Sequence, residues 1–418
     1  MNFLSGTVFS AWDAMALPWS TVLSPTHVRG PAPIVDVGVR PHFLVQDMAP
    51  SSLQSTLQAC SDMTSGHAPL KRTTFAIGHR GACLQFPEHT KESYLAAIRM
   101  GAGRVECDVT FTKDHVLVCR HSQNDLHTTT NILLTPLAAK CTKAFTPYDQ
   151  ATATAASAEC RTTDITLAEF KSLRGKMDGF NPMALTPEEY VAGTPSWRTD
   201  LYAGPTSGTL MTHAESIALF AAHGVQMTPE LKEPVVAMPF NGFTRHAFAD
   251  KIVQEYLDAH VSPTQVFPQA FAVDDIEYWL TNHPAFGSNA VFLDDADTIA
   301  DLPTAAELIE YKARGIAIVA PPIWALLATN EHGKMVPSVY ARHAKAAGLR
   351  IVAWSLDRAG VLSITKGGWY YQTVQSAIER EGDMLEALHV LAKDVGIESI
   401  FADWVATPVF YANCLGIV

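Results

Sequence analysis

Residues 104–121 read RVECDVTFTKDHVLVCRH and contain two apolar runs separated by a few polar residues. The first run, Arg104–Thr110, and the second, Val116–Arg120, are both typical of buried β-strands. A parallel connection between two strands needs about a dozen residues or more. The two runs are therefore expected to form an antiparallel hairpin, the second strand being an accessory to whatever sheet contains the first.

Strand-like and helix-like segments alternate on both sides of this hairpin. The predicted strands are Phe75–Gly78, Arg104–Thr110, Val116–Arg120, Gln226–Leu231, Gln265–Phe271, Ala290–Leu293, Ile316–Ala320, Arg350–Leu356 and Ser399–Ala402. Amphipathic helical runs separate most of them. This alternation of apolar strands and helices predicts an α/β fold with a parallel sheet.

The number of strands and the chain length favour a closed barrel over an open sheet. Without the hairpin strand, eight parallel strands remain. Residues 122–210 lack clear alternation and are interpreted as an insertion at the barrel mouth. The rest of the segment from residue 75 to residue 411 is then close to the ~250 residues typical of a (β/α)₈ barrel. We therefore predict an N-terminal extension over residues 1–70 and a TIM-type barrel over residues 71–418.

Composition excludes some classes of function. The net charge of −12 argues against a nucleic-acid-binding surface, which needs a basic stripe. No stretch approaches the roughly 20 apolar residues of a transmembrane helix. The first 23 residues contain no Lys or Arg and are interrupted by Asp13, so they are a poor secretion signal. The oligomeric state is left open by the sequence.

Seven cysteines cannot all pair within one chain. Cys107 and Cys119 lie inside strand-like runs and are interpreted as buried thiols. Cys141 and Cys160 bracket a polar stretch and form the best candidate disulfide, which would indicate an oxidising compartment.

Two carboxylates and a histidine are predicted to meet on the hairpin. Glu106 and Asp108 are two residues apart in a strand, so they point to the same side. With Lys113 and Asp114 as the turn, His121 lies opposite Glu106, a pairing that a slip of one residue would spoil. A solvated edge strand would also tolerate two acids, but the apolar residues between and beside them favour a cation site.

Other strand ends carry further chemical groups. His79 and Arg80 follow the first strand and are flanked by glycines, although a structural histidine and a surface arginine are common alternatives. Glu230 and Lys232 share one face at the end of a later strand, where an exposed ion pair is the simpler interpretation. All these strand ends meet at one mouth in a parallel barrel.

Taken together, these groups are suited to phosphoryl transfer. Three carboxylates favour a hard cation such as Mg²⁺ or Ca²⁺ over Zn²⁺. Arginine and lysine neutralise a phosphate, and two histidines can divide the roles of general base and acid at neutral pH.

The sequence resembles the glycerophosphodiester phosphodiesterase family. The resemblance is specific in residues 75–131 and thins to isolated strands as far as Pro408. The motifs that carry it are His79-Arg80-Gly81, Pro87-Glu88-His89-Thr90, Glu106-x-Asp108, Thr112-Lys113-Asp114, His121 and Glu230-x-Lys232. The Pro-Glu-His-Thr motif and the large insertion are most similar to the periplasmic or secreted branch, so the resemblance implies a secreted or periplasmic protein.

The resemblance also implies roles for individual residues. It implies one divalent cation, Ca²⁺ or Mg²⁺, within a (β/α)₈ barrel. The implied roles are metal ligation by Glu106, Asp108 and Glu230, acid/base catalysis by His79 and His121, and phosphate binding by Arg80 and Lys232. Glu88 is assigned to the substrate site, where it either touches substrate or supports its neighbours. Trp354 is either a wall of the glycerol pocket or a buried core residue.

One departure bears on the substrate. The family often has Asp after the second histidine, where this chain has Ser122, which leaves the head-group preference open. The expected reaction is hydrolysis of a glycerophosphodiester, such as glycerophosphocholine or glycerophosphoethanolamine, to glycerol 3-phosphate and an alcohol. One alternative is a lysophospholipase D, with Phe180 and residues 367–371 as an apolar rim for a lipid tail. Another alternative is a noncatalytic binding protein on a degenerate barrel.

Overall fold

A computed structural model describes residues 34–64, 69–195, 197–198 and 208–417. Within these residues the main element is a closed barrel of eight parallel strands. The barrel strands are β1 Thr73–Gly78, β2 Ala102–Phe111, β3 Gln226–Leu231, β4 Gln269–Ala270, β5 Val291–Leu293, β6 Ile318–Ala320, β7 Arg350–Ala353 and β8 Ser399–Ala402. Each strand pairs in parallel with its neighbours, and β1 closes the circle by pairing with both β2 and β8. The predicted TIM-type barrel is confirmed.

Helices cover the outside of the barrel. The longer ones after successive strands are Lys91–Arg99, His213–His223, Arg245–Asp258, Val273–Asn282, Ala305–Ala313, Val339–Ala346, Asp383–His389 and Ala406–Cys414, and the seventh continues as a π-helix over Val390–Val395. Short helical segments lie at Pro263–Gln265, Pro284–Gly287, Ile299–Asp301, Ile323–Leu326, Leu362–Thr365, Gly368–Tyr371 and Gln375–Ala377, and a small hairpin joins Leu327–Thr329 to Met335–Pro337. The largest apolar core fills the layer between strands and helices, and a second, formed by residues such as Ile77, Ile318 and Val352, fills the barrel interior.

Two helices precede the barrel. Arg40–Asp47 and Ser52–Thr64 pack against the C-terminal helix Ala406–Cys414. The rings of His42 and Phe410 contact each other edge to face, with centroids 5.2 Å apart. A disulfide between Cys60 and Cys414 fixes this contact covalently. Residues 1–33 of the predicted extension lie outside the described residues.

The hairpin forms, but its predicted register is wrong by one residue. Phe111 lies opposite Leu117 and Val109 opposite Cys119, so the strand Leu117–Cys119 ends before His121. The loop has three residues and ends at His115, which has a φ of 60°. Such loops combine a turn with one left-handed residue, usually glycine. Because histidine takes the place of the usual glycine, a three-residue loop could not be recognised from the sequence.

The register also explains an error about the cysteines. Cys107 and Cys119 form a disulfide and are not free thiols, as the sequence analysis had assumed. In the true register their side chains lie on the same face of the hairpin, and their Cα atoms are 5.4 Å apart, within the range of a disulfide. The predicted Cys141–Cys160 disulfide is also present.

The segment 122–210 forms a layer of short elements with an apolar core of its own. These elements are Leu126–Thr129, Ile132–Leu134, Pro136–Lys140, Lys143–Thr146, Ser157–Glu159, Thr162–Asp164, Leu167–Phe170, Arg174–Gly175, Pro187–Val191 and Gly208–Thr209. The core includes Leu126, Phe170 and Tyr190. The segment begins directly after His121 and returns to the barrel at the helix His213–His223, so both of its ends lie near the mouth.

Among the described residues no helix is both long and apolar enough to cross a membrane.

The disulfide pattern predicts the thiol content. All seven cysteines lie in the described residues, and Cys83 alone is unpaired, with 1% of its surface exposed. We expect DTNB to label no thiol in the folded protein, one after denaturation without reductant, and seven after reduction. Three or more thiols in the denatured, unreduced protein would show that a disulfide is missing.

Candidate active site

Most of the predicted site residues line one cavity at the barrel mouth. The cavity has a volume of about 360 Å³, within the range of small-molecule sites. Seven of the nine predicted residues form part of its wall: His79, Arg80, Glu106, His121, Glu230, Lys232 and Trp354. They come from the ends of several strands far apart in sequence, as a parallel barrel requires.

The two other predicted residues are buried behind this wall. Asp108 belongs to the same carboxylate cluster as Glu106 and Glu230. Glu88 accepts two hydrogen bonds from Arg80 Nη1, at 3.1 and 3.2 Å, and only 1% of its surface is exposed. Its contacts are those of a residue that holds Arg80 in place.

The His-Arg-Gly turn after β1 depends on glycine. Gly81 has a φ of 91°, and a Cβ there would lie 2.7 Å from the backbone carbon of Ser93. Arg80 itself adopts a φ of 57°, which is uncommon for a residue with a side chain. In this conformation the Arg80 backbone N–H donates to Glu106 Oε2 at 2.9 Å. The turn therefore orients a carboxylate as well as presenting two side chains.

Glu106, Asp108 and Glu230 form a compact carboxylate triad. Their ligand atoms all lie within 4.8 Å of one another. β2 and β3 pair so that Asp108 lies beside Glu230. Glu106, two residues before Asp108, points to the same face of β2. The strand pairing therefore dictates the cluster.

Each member of the triad is oriented by a neighbouring side chain. Gln269 Nε2 donates to Glu106 at 2.7 Å, and Lys232 Nζ lies 2.5 Å from Glu230. His89 Nε2 donates to Asp108 Oδ2 at 2.9 Å and its Nδ1 accepts from the hydroxyl of Tyr94, also at 2.9 Å. His89 lies within the Pro-Glu-His-Thr motif, but no role was predicted for it, because a buried supporting histidine gives no signal of its own in the sequence.

Electrostatics within the triad are unfavourable without a cation. Burial, together with the charges of Asp108 and Glu230, raises the pKa of Glu106 well above its usual value. Burial and the nearby Asp108 also raise the pKa of Glu230 to about 8, although Lys232 opposes this. Burial acts in the same direction on Asp108, but His89 and Lys232 outweigh it and hold its pKa well below the usual range.

These residues fit a hard divalent cation. Three carboxylates supply oxygen ligands, and Asp108 Oδ1 is buried without a hydrogen-bond partner among the described residues. A buried carboxylate oxygen without a partner is costly unless a cation occupies the space beside it. The hydrogen bonds to the other oxygens are of the kind that orients metal ligands.

His79 is held by an aspartate that sequence analysis did not assign. Asp403 follows β8, is fully buried, and accepts a 2.8 Å hydrogen bond from His79 Nδ1. Burial raises the pKa of Asp403, but His79 and Arg358 outweigh this effect and keep it well below the usual range, so the acceptor is a carboxylate. With its proton on Nδ1, His79 turns an unprotonated Nε2 toward the cavity, 3.8 Å from Glu106.

Asp403 is itself fixed by three donors. Ser355 Oγ donates at 2.7 Å, Arg358 Nη1 at 2.8 Å and Cys83 Sγ at 2.6 Å. Arg358 also lines the cavity beside His79 and Arg80. The position of Asp403 directly after a predicted strand was the available signal, because residues at such positions face the barrel mouth.

The second histidine reaches the cavity from the segment after the hairpin. Its neighbour Arg120 is fully buried and anchors this segment. Arg120 donates to Thr129 Oγ1 at 3.0 Å and to the backbone carbonyl of Glu88. Burial lowers the pKa of His121 well below its usual value, and Arg80 and Lys232 add to the effect.

Aromatic side chains form much of the rest of the wall, and two of them lie beside the charged groups: Phe401 contacts His79 and Phe271 lies near Lys232. Phe271, Trp354, Tyr370 and Phe401 line the cavity. Trp354 Nε1 donates to the backbone carbonyl of Ala320 at 2.8 Å, which fixes the indole ring. Trp354 is partly exposed, so it is a wall residue and not a buried core residue.

Comparison with known proteins identifies the family. Residues 79–407 match the model of the glycerophosphoryl diester phosphodiesterase family. The chain belongs to this family. The expected phosphodiesterase class is thereby confirmed, and the matched segment includes seven of the eight barrel strands and the insertion.

Individual relatives are similar to parts of the chain. An "Extracellular protein" of Arthroderma benhamiae is 42% identical over 246 residues, which are 58% of this chain and all of that protein. A "Probable glycerophosphodiester phosphodiesterase 1" of Mycobacterium tuberculosis is 30% identical over 41% of this chain and 48% of its own length, so the match spans about half of that relative. The crystal structure of a putative glycerophosphoryl diester phosphodiesterase from Silicibacter pomeroyi shares the fold, with a TM-score of 0.56 at 17% identity, over 84% of this chain and 95% of that one.

The contact between His79 and Asp403 predicts a loss of turnover on mutation. Asp403→Asn is expected to lower kcat at least about tenfold, because the imidazole loses its fixed tautomer. KM is expected to rise as well, since Arg358 loses the carboxylate that holds it, whereas Arg80 and Lys232 keep theirs. Asp357→Asn is a matched control, since Asp357 is also buried and accepts the backbone N–H of Trp404 outside the cavity wall. Equal effects of the two substitutions on kcat would indicate a purely structural role for Asp403.

Proposed function

We propose that this protein hydrolyses glycerophosphodiesters to glycerol 3-phosphate and an alcohol, using one divalent cation and two histidines. The observation that carries the proposal is the single cavity lined by both histidines, by two carboxylates of the triad and by three cationic side chains. Family membership supplies the reaction class. The cation, the acid/base roles and the substrate are the parts that experiment must test.

Glu106, Asp108 and Glu230 would hold the cation. Three carboxylate ligands favour Ca²⁺ or Mg²⁺ over softer metals. When bound, the cation supplies charge neutralisation at the phosphoryl oxygens and helps to ionise the attacking oxygen. The close approach of the three carboxylates supports this assignment.

Arg80, Lys232 and Arg358 would bind the phosphate. Each is anchored by a carboxylate that also keeps it charged: Glu88 for Arg80, Glu230 for Lys232 and Asp403 for Arg358. Because these partners fix the cations before substrate arrives, binding costs little side-chain entropy. Phosphate oxygens are good acceptors for both arginine and lysine.

The histidines would move the protons. In the first step a glycerol hydroxyl of the substrate gives its proton to one imidazole and forms a bond to phosphorus, while the other imidazole protonates the departing alcohol. Water then opens the cyclic phosphate with the two roles reversed. The unprotonated Nε2 of His79, backed by Asp403, favours His79 as the base of the first step. His121 would then be the acid, and the negative phosphate of the bound substrate would raise the pKa that burial, Arg80 and Lys232 lower.

Small, soluble substrates are favoured over lipid-tailed ones. Phe180, proposed from the sequence as part of an apolar rim, stacks on Tyr190 with centroids 4.9 Å apart and borders a different cavity. Tyr370 does reach the active-site cavity, but as one ring of its aromatic wall. A noncatalytic binding protein is not proposed, because every predicted catalytic group is retained.

Secretion is proposed as the cellular context. Three disulfides are favoured in an oxidising compartment. A relative that is 42% identical is named as an extracellular protein. Both observations support a secreted or periplasmic protein.

Removal of the cation should abolish activity. Treatment with excess chelator is expected to reduce hydrolysis of glycerophosphocholine to background, and adding back Ca²⁺ or Mg²⁺ identifies the cation that restores it. Glu106→Ala is expected to be inactive under all these conditions while remaining folded by circular dichroism. Glu233→Ala, which removes an exposed acid next to Lys232, serves as its control. Full activity in excess chelator would contradict the metal assignment.

Loss of the second histidine should leave binding residues in place but remove a proton-transfer group. His121→Ala is expected to lower kcat at least ~10²-fold, measured from the released glycerol 3-phosphate. His127→Ala is the matched control, because His127 belongs to the same segment but packs on Tyr190. A loss below tenfold for His121→Ala would argue against acid/base catalysis by this residue.

A further inference from the structure

The insertion contributes one carboxylate to the cavity wall. Asp178 follows the short strand Arg174–Gly175 and lines the cavity together with Glu106 and Glu230. Glu106 and Glu230 belong to the triad. Asp178 is therefore a negative charge in the cavity that neither the cation nor the proton transfers use.

The backbone around Asp178 is clamped. Lys176 is 3% exposed, and its Nζ donates to the carbonyls of Thr128, Met177 and Gly179 at 2.6, 2.7 and 2.7 Å. Two of these carbonyls belong to the residues that flank Asp178. Burying an ammonium group is costly unless it is hydrogen-bonded. The three hydrogen bonds of Lys176 therefore hold the loop that presents Asp178 in a defined position.

The carboxylate of Asp178 remains available to a ligand. Its Oδ2 atom forms an ion pair with Arg198 Nη2 at 3.7 Å, too long for a hydrogen bond, and 31% of the Asp178 side chain is exposed. Each cation of the cavity wall, in contrast, has a close carboxylate partner of its own. Asp178 is thus the wall carboxylate best suited to bind a cation that arrives with the substrate.

A zwitterionic substrate would match this distribution of charge. Its phosphate would meet Arg80, Lys232 and Arg358, and its positive end would need a negative or aromatic surface nearby. Asp178 supplies the negative charge, and the aromatic ring of Tyr370 lines the same cavity. Aromatic rings attract alkylammonium groups.

We propose that Asp178 binds the positively charged amino-alcohol of the substrate and makes the enzyme prefer glycerophosphodiesters of choline and ethanolamine over those with neutral head groups. This inference rests on the proposed function and names the substrate class within it. Asp178 is assigned as a specificity residue, with no part in the proton transfers.

The test is a ratio of substrate preferences. kcat/KM is measured for glycerophosphocholine and for glycerophosphoglycerol, whose head group is uncharged. Asp178→Asn is expected to lower the ratio of the two values about two- to fivefold, the scale of a partly exposed ion pair. Asp178→Glu is expected to retain most of the preference, because it keeps the charge.

Controls separate this inference from its alternatives. Glu188→Gln removes an exposed charge from the same insertion outside the cavity wall and is expected to leave the ratio unchanged. An unchanged ratio in Asp178→Asn, whether or not both values of kcat/KM fall, would overturn the inference, since Asp178 would then only support Arg198. If the wild-type protein hydrolyses neither substrate, the proposed function itself fails. Thermal unfolding midpoints of the variants show whether a loss reflects misfolding, and in that case Asp178→Ser is measured in place of the asparagine variant.

Discussion

Three carboxylates brought within 4.8 Å of one another inside a largely buried barrel mouth are the constraint on which the site depends. Their repulsion is expressed in the raised pKa values of Glu106 and Glu230, for which burial is the largest cause. A folded protein does not retain such a cluster for stability, since buried like charges are costly. A bound cation would remove the repulsion, and the surrounding donors, Gln269, His89 and Lys232, hold the carboxylates in place for it.

The barrel and the insertion contribute different residues to the site. Parallel strands bring the triad, His79 and Asp403 to one mouth, because strand ends converge whatever their separation in sequence. The insertion adds the segment that follows His121 and the loop around Asp178, which Lys176 holds in place. Chemistry therefore resides on the rigid barrel, and the proposed head-group recognition resides on the added segment, a common division between scaffold and loop.

The sequence predicted the barrel and most of the wall of the cavity, because periodicity of two fixes which strand residues share a face. It missed what depends on exact register. A histidine in a left-handed position made the hairpin loop three residues long, so the pairing of His121 and the Cys107–Cys119 disulfide were both misjudged. It also could not find His89, Asp403 or Arg358 as partners of the predicted site residues, since hydrogen bonds between distant segments leave no local pattern in a single sequence.

The most direct test of the central claim is to locate the cation. A crystal soaked in Mn²⁺, an anomalous scatterer that binds to similar oxygen ligands, should show one strong anomalous peak at about 2.0–2.6 Å from oxygens of Glu106, Asp108 and Glu230. Absence of a peak at the triad, or a dominant peak at another site, would contradict the account.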